Sequence, residues 1–380
     1  MDSVDKIKKY FLIDTGLIAV LGVVMVYSSS YIYSKEMFGT STHFFFKQLI
    51  FLSIGCAAAF IVSKTKMTFW YKNIYKLNIV AIILLLLTIS PLGIVVKGSQ
   101  RWLTFGTMSM QPGEIIKYTV ALSAVLYFNS FEIYSKREKW LYALNFFVPL
   151  AILISQPDFG TFTITIILIA FACFVSDFSR KIFYSFFGVG IVGLAALLVA
   201  APYRVKRLLV FLDPWKDPQN SGFQIIQSYL ALANGHIWGQ GIGNSNEKLF
   251  YLPEAYNDFI LSVLGEELGF IGIAAIVVLF LIFTFLGFKL ALYARSNINK
   301  QIIAILVFAI SFQAILNMGV ILGLLPTKGL NLPFVSSGGS SLISNLVAIG
   351  IIMSCVREKS QIDEGEVAFD FNHRNMEYTR

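Results

Sequence analysis

The feature that most constrains this sequence is a series of apolar segments that recur along nearly the whole chain of 380 residues. An α-helix needs about 20 apolar residues to cross the ~30 Å of hydrocarbon in a bilayer, and most of these segments approach that length. The segments lie near residues 11–30, 44–63, 77–96, 113–130, 141–156, 159–176, 182–202, 265–288, 302–325 and 341–356. They predict an all-α polytopic membrane protein with about ten transmembrane helices.

The composition also favours a membrane protein. Hydrophobic residues make up 56% of the chain and charged residues only 14%, whereas soluble domains contain about 25% charged residues. The net charge of +8 would suggest nucleic-acid binding if the basic residues formed one patch. Instead, most of them fall in alternate segments between the spans, which is the pattern that orients membrane proteins. We therefore expect both termini in the cytoplasm and no nucleic-acid partner.

A single membrane domain accounts for residues 1–356, and a polar tail that we expect to be disordered follows at 357–380. The longest segment between spans, 203–257, separates the seventh and eighth spans and is predicted to be extracytoplasmic. Within it, apolar residues recur at helical spacing at Phe223, Ile226, Leu230 and Ala233. This spacing predicts a helix that lies in the membrane interface rather than crossing it. The glycine-rich stretch 239–243 follows no predicted strand, so it does not indicate a dinucleotide site.

Charged residues near the spans concentrate at their outer ends. A charge at the centre of a bilayer costs roughly 2.5–3.5 kcal/mol on insertion scales, so charges kept close to hydrocarbon call for a reason. These residues are Arg101, Glu114, Lys117, Asp158, Arg204, Lys206, Arg207 and Asp258. Their common position predicts a charged site on the outer face of the membrane.

Each of these charges also has a structural interpretation. Glu114 can complement the positive end of its helix, and Lys117 can pair with it one turn later. Asp158 can cap the sixth span. Arg204 and Lys206 either reach lipid phosphates from just outside the seventh span or bind a specific anionic head group.

Three carboxylates stand close to the start of the eighth span. Glu266 and Glu267 are interpreted as mainly structural, with one of them facing water or a neighbouring helix. Asp258 stands apart, because a purely apolar run follows it. It is either the capping residue of this span or, beside the outer cations, a general base for chemistry on an anionic lipid.

Four segments resemble the signature motifs of the SEDS family (shape, elongation, division and sporulation). They are QRW followed by QPGEIIK, then QPDFGT, YLPEAYNDFILSVLGEELG and LLPTKGLNLPFVSSGGSS. They occur in the order and spacing of the family, and the resemblance extends from Met25 to Val356. PTKGLNLP and YLPEAYNDFI are more similar to the cell-division members of the family than to its elongation members.

The resemblance implies a peptidoglycan glycosyltransferase that polymerises lipid II into glycan strands for the septal cell wall and releases polyprenyl diphosphate. It implies a multi-pass protein of the bacterial cytoplasmic membrane at the division septum. The implied partners are lipid II as substrate, a class B penicillin-binding transpeptidase and other divisome membrane proteins. A divalent cation, Mg²⁺ or Mn²⁺, is a further expectation, although no cluster of ligands is evident in the sequence.

The resemblance and the outer position of the charges together give the expected site residues. By motif position, Asp258 matches the essential aspartate of the family and is expected to be catalytic. The residues expected to bind the substrate are Arg101, Glu114, Lys117, Asp158, Arg204, Lys206 and Lys328. In the expected reaction, Asp258 accepts a proton from the acceptor sugar's hydroxyl, and the cations balance the charge of the leaving diphosphate.

Two other functions fit a protein of this kind, namely a flippase for lipid II and a noncatalytic scaffold for division proteins. A transporter would place polar groups near mid-bilayer within inverted repeats, whereas these charges lie at the outer ends and no repeat is evident. The sequence departs from the family at Tyr256-Asn257, where His-Thr is usual, and at Gly113 and Ser337. The aspartate that follows Asn257 is kept.

Overall fold

The computed structural model describes residues 3–96, 99–106, 108–176, 178–180, 183–184, 188, 190, 193, 210–219, 222–245, 255–327 and 329–357. Most of this part of the chain is α-helical. The helices are α1 (Ser3–Phe38), α2 (His43–Lys64), α3 (Met67–Leu87), α4 (Gly113–Asn129), α5 (Lys136–Ser155), α6 (Phe159–Val175), α7 (Phe223–Gly235), α8 (Ile260–Tyr293), α9 (Asn297–Ile321) and α10 (Gly339–Arg357). A short 3₁₀ helix at Pro214–Lys216 precedes α7.

Seven of the described helices are long and apolar enough to cross a membrane, namely α1, α2, α3, α5, α8, α9 and α10. Helices α4 and α6 have 17 residues each. The predicted helical, multi-span membrane architecture is therefore confirmed. Most of the seventh predicted span, 182–202, lies outside the described residues, and so does the whole tail after 357. The count of ten spans and the cytoplasmic location of the termini stay predictions.

The bounds of the third predicted span were wrong. We expected residues 77–96, whereas α3 runs from Met67 to Leu87. The hydropathy pattern missed the first turns because Lys72 and Lys76 interrupt it, although both lysines lie on the helix. The pattern also extended too far. The helix ends at Leu87. Pro91 disfavours a longer helix because it has no N–H to donate to the carbonyl four residues before it, and the apolar residues after it form a strand.

A small antiparallel sheet between α3 and α4 was not part of the predicted fold. Its strands are β1 (Gly93–Val96), β2 (Ser99–Phe105) and β3 (Met108–Met110), in the order β1-β2-β3. Residues Ile94 to Val96 are β-branched, which favours a strand, and Ile94 pairs with Trp102 across the sheet. The central strand carries Arg101, so the sheet sets the location of one predicted site residue.

Helix α9 lies at the centre of the bundle, where it packs against α4, α6, α8 and α10. Most of its side chains are buried, including the polar Ser311, Gln313 and Asn317. The outer faces of α2, α3, α5 and α8 instead expose large apolar side chains such as Phe60 and Phe285, as surfaces in contact with lipid do. The bundle therefore keeps these polar groups of α9 away from lipid.

Helix α8 is interrupted at Gly269, where φ is 68° and ψ is −166°. The two carboxylates just before this break, Glu266 and Glu267, are completely buried. The Ser28 hydroxyl of α1 donates to Glu267 and lies 2.7 and 2.6 Å from its two carboxylate oxygens. Glu266 accepts a hydrogen bond from the Ser245 hydroxyl. Both residues thus hold other elements against α8, which supports their structural interpretation.

Helix α7 forms where a helix was expected, but it is rotated relative to the predicted apolar face. Leu230 and Ala233 of that face are exposed, whereas Ser228 is buried. The Ser228 hydroxyl lies 2.7 Å from the Ser262 hydroxyl and donates to the Ile321 carbonyl at 3.1 Å. These contacts hold α7 against the start of α8 and the end of α9. An amphipathic pattern does not predict this packing, because it depends on a buried serine.

Candidate active site

Asp258 lies in the turn 255–259 immediately before α8 and is half-buried. The N-cap residue of α8 is Phe259, so Asp258 is not the capping residue that one interpretation expected. A methyl group on Gly329 would lie 3.3 Å from Asp258 Oδ2, which places the carboxylate against the loop between α9 and α10. Asp258 therefore stands where the start of α8 and the end of α9 meet this loop.

The turn that carries Asp258 is fixed through its main chain. The carbonyls of residues 256 and 257 accept hydrogen bonds from the Ser337 N–H at 3.0 Å and from the Ser336 hydroxyl at 2.7 Å. The Asp258 carbonyl accepts one from Asn317 Nδ2 at 2.8 Å. Three successive carbonyls thus bind donors from α9 and from the loop that follows it.

Asn317 and Gln313, one turn apart on α9, hold this loop from the same side. Asn317 Nδ2 also donates to the Leu330 carbonyl at 2.6 Å, and Gln313 Nε2 donates to the Asn331 carbonyl at 2.9 Å. The Asn317 Oδ1 atom is buried and has no hydrogen-bond partner among the described residues. One face of α9 therefore positions both the turn before α8 and the loop opposite it.

Glu114 and Lys117 form a buried ion pair on α4, with Lys117 Nζ 2.5 Å from Glu114 Oε2. Lys117 is only 2% exposed and also donates to Gln313 Oε1 at 2.6 Å. Its ammonium lies 5.0 Å from the centre of the Tyr118 ring. The pairing expected from their spacing is confirmed, and through Gln313 the pair is connected to the loop beside Asp258.

Arg101, in the central strand, reaches the turn between α5 and α6. Its guanidinium donates to the Gln156 carbonyl at 3.2 Å and to the Pro157 carbonyl, and it lies 3.7 Å from the Asp158 carboxylate. Asp158 caps α6, as its structural interpretation expected, because its Oδ1 accepts from the Thr161 N–H at 3.2 Å. The Arg101 side chain stays 27% exposed, so its charge is tied to this turn and still accessible from outside.

The charged groups form one continuous polar region. A methyl group on Gly113, the first residue of α4, would lie 3.5 Å from Asp158 Oδ2. The Arg101–Asp158 pair therefore abuts the start of the helix that carries Glu114 and Lys117. From there the region extends across α9 to the turn before α8.

Three of the predicted substrate-binding residues lie outside the described residues, namely Arg204, Lys206 and Lys328. The described part of the chain contains no group of three or more His, Cys, Asp or Glu side chains that could hold a metal ion. The predicted divalent cation therefore has no such cluster among the described residues.

The residues that hold the site together were missed in the sequence. Gln313, Asn317 and Ser336 are uncharged, so a search for charges near the membrane passes over them. The available signal was the spacing of Gln313 and Asn317, which places two amides on one face of the mostly apolar second half of α9.

Comparison with known proteins points to one family. The family described as cell cycle protein, of FtsW, RodA and SpoVE, matches residues 8–361. A probable peptidoglycan glycosyltransferase FtsW of Geobacter metallireducens is 38% identical over 342 residues, covering 88% of this chain and 90% of that protein. Stage V sporulation protein E of Bacillus subtilis is 37% identical over 348 residues, covering 90% of this chain and 95% of that protein.

Solved structures share the fold. One is a chain from a peptidoglycan synthase complex, studied for how it coordinates polymerisation and crosslinking. It has a TM-score of 0.74 and 24% identity, and the match covers 93% of this chain and 98% of that one. The rod shape determining protein RodA of Thermus thermophilus has a TM-score of 0.68 and 23% identity, with 93% and 97% covered.

Proposed function

This chain belongs to the cell cycle protein family of FtsW, RodA and SpoVE, and on that premise we propose that it is a peptidoglycan glycosyltransferase that polymerises lipid II. The proposal is based mainly on similarity to relatives named as probable peptidoglycan glycosyltransferases. The similarity extends along most of the chain, and one of these relatives is 38% identical. The polar region around Asp258 supports it. This region lies at the end of the bundle predicted to face outward, where the diphosphate of a membrane-anchored glycolipid would sit.

Asp258 is the proposed general base. Its carboxylate takes the proton from an acceptor-sugar hydroxyl while that oxygen forms a bond to the anomeric carbon of the donor. The bond from this carbon to the diphosphate oxygen breaks, and polyprenyl diphosphate leaves. The main-chain hydrogen bonds that fix the turn support this role, because a general base has to be held within hydrogen-bond reach of its proton.

Arg101 is the described cation best placed to meet the leaving diphosphate, since its guanidinium stays partly exposed and its planar donors suit phosphate oxygens. Lys117 has a different proposed role. Its buried ammonium is shared between Glu114 and Gln313, so it holds α4 to α9 and supports the loop beside the catalytic turn. Glu114 and Asp158 orient these two cations. The remaining proposed substrate-binding residues, on the strength of the sequence alone, are Arg204, Lys206 and Lys328.

The proposed setting is the division septum of a bacterial cytoplasmic membrane. The proposed partners are a class B penicillin-binding transpeptidase and other divisome membrane proteins. A structure with the same fold comes from a complex that couples polymerisation to crosslinking, which supports a transpeptidase partner. A divalent cation stays a prediction from the family resemblance, and treatment with EDTA followed by addition of Mg²⁺ or Mn²⁺ tests it.

The test of the function uses purified protein, reconstituted with a class B transpeptidase and given labelled lipid II. Glycan strands from the wild-type protein, and their loss in Asp258→Asn, are the expected result. Movement of lipid II across the membrane without glycan strands would indicate a flippase instead. Neither product, from protein that binds its partner normally, would indicate a scaffold.

A further inference from the structure

The loop after α7 presents an apolar tip at the surface of the protein. Trp238 is 81% exposed, and Ile237 and Ile242 are each 60% exposed. Leu230, on α7 before this loop, is also exposed. No Asp, Glu, Lys or Arg occurs from residue 236 to residue 245. A cluster of large exposed apolar groups without charge marks a surface that contacts something other than water.

The tip is held rigidly, because the main chain of this loop completes the broken helix α8. After the break, the N–H groups of residues 270 and 271 donate to the carbonyls of His236 and Ile237 at 2.9 and 3.3 Å. Before the break, the carbonyls of residues 266 and 267 accept from the N–H groups of Gln240 and Gly241 at 2.9 and 3.0 Å. The loop thus satisfies four groups that an interrupted helix would otherwise leave unpaired.

Two glycines allow this close approach of main chain to main chain. Gly239 has a φ of +81°, and a methyl group there would lie 2.1 Å from the Glu267 carbonyl oxygen. A methyl group on Gly269 would lie 2.4 Å from the Gly239 nitrogen. The loop is therefore held in one position against α8, and its exposed side chains lie on the side away from that helix.

The position of the break in α8 also indicates how deep the loop lies relative to the membrane. The 19 residues from Phe270 to Phe288 carry no charge, and Lys289 follows them. At about 1.5 Å per residue they span roughly 28 Å, close to the ~30 Å of the hydrocarbon. Phe270 and Ile271, at the outer end of this stretch, are exposed on the lipid-facing side of α8. The tip is hydrogen-bonded to these same two residues, so it lies where hydrocarbon meets lipid head groups.

We propose that Ile237, Trp238 and Ile242 form an anchor that inserts into the interface of the outer leaflet. Tryptophan concentrates at this depth because its ring is apolar and its N–H is polar. Lipid is the occupant that the surface favours, since the tip continues the lipid-facing surface of Phe270 and Ile271. The anchor fixes the height of the loop, and of the segment of α8 before the break, relative to the membrane surface.

The experiment measures the depth of Trp238 by fluorescence in nanodiscs of phosphatidylcholine. The emission of Trp238→Phe protein is subtracted from that of the wild type, and the difference belongs to Trp238. Lipids brominated near the head group, lipids brominated near the chain end, and aqueous iodide are compared as quenchers. We expect the largest loss of this emission with bromine near the head group, a smaller loss near the chain end and little loss with iodide.

Trp140→Phe provides the matched control. Trp140 is 75% exposed near the start of α5, a helix long and apolar enough to cross the membrane. The emission of Trp140→Phe protein, subtracted from that of the wild type, gives the emission of Trp140. Its quenching is the reference for a tryptophan at a membrane interface. Quenching of Trp238 by iodide but not by brominated lipid would overturn the proposal. Protection from iodide that appears only after a transpeptidase partner is added would also overturn it, because the tip would then be a protein contact.

Discussion

Asp258→Asn removes one proton acceptor and leaves most of the surroundings unchanged. The carbonyl of Asp258, rather than its carboxylate, accepts the 2.8 Å hydrogen bond from Asn317. The carbonyls of residues 256 and 257 are held in the same way. Asparagine keeps all three main-chain bonds and nearly the same side-chain volume. We therefore expect the Asp258→Asn protein to stay folded, with a change in the free energy of unfolding that is small beside the loss of activity.

The rate of polymerisation should respond very differently. A general base contributes roughly 10²–10⁴-fold to a rate, which corresponds to about 2.7–5.4 kcal/mol in the activation barrier. Asparagine does not accept a proton at neutral pH, so this whole contribution should be lost. A large loss of rate with little loss of stability is the signature of a catalytic role, because a residue needed only for folding would lower both together.

The assay follows glycan strand formation from labelled lipid II at equal amounts of inserted protein, with thermal unfolding measured on the same samples. The matched control exchanges two neighbours, Asn257→Asp with Asp258→Asn, which restores the charge of the turn but moves it by one residue. We expect the exchange to be as inactive as Asp258→Asn. Polymerisation by Asp258→Asn within about threefold of the wild-type rate would refute general-base catalysis by this residue.

Three further substitutions test the groups around this turn. Asn317→Ala leaves the carbonyl of Asp258 without its donor, so the free energy of unfolding should fall by about 1–3 kcal/mol. We expect a lower melting temperature and, because the turn is less well held, slower polymerisation. Lys117→Met leaves Glu114 buried without its partner and should lower the free energy of unfolding by about 3–5 kcal/mol. Adding Glu114→Gln should recover most of the lost melting temperature, and no recovery would contradict the structural role of the pair. Arg101→Lys keeps the positive charge but loses the planar donors, so polymerisation should fall strongly while membrane insertion stays normal. Near-normal rates would contradict diphosphate binding by the guanidinium and leave Arg101 only its contacts with the turn between α5 and α6.

Much of the fold could be predicted from the sequence, because hydrocarbon imposes long apolar helices with few alternatives. The bounds of α2, α4 and α6 fall within two residues of the predicted segments. The errors arise where another constraint competes with hydropathy. Lysines on α3 interrupt the apolar pattern of its first turns. The apolar residues after Pro91 form a strand, and this proline disfavours a longer helix because it lacks the N–H that the next helical hydrogen bond needs.

The candidate site was predictable only where its contacts are local. The Glu114–Lys117 pair follows from a spacing of three residues on one helix. The contact between Arg101 and Asp158 depends on a sheet that the hydropathy pattern does not predict. Asn317 was missed because an uncharged amide within an apolar span costs much less free energy than a charge, so it does not by itself indicate a site. Its partners lie outside the span, in the turn before α8 and in the loop after α9.

The way the turn before α8 is held has a consequence for how the sequence can drift over evolutionary time. Its donors bind the carbonyls of residues 256 and 257, and every amino acid carries the same carbonyl. Exchange of these side chains therefore leaves the two main-chain hydrogen bonds available, although the Tyr256 ring also packs against Tyr33 and Phe44. The side-chain donors are the more restricted positions, namely Ser336 for the carbonyl of residue 257 and Asn317 for that of Asp258. Natural variants should therefore keep a hydrogen-bond donor at both positions, whereas the side chains at 256 and 257 need only fit their neighbours.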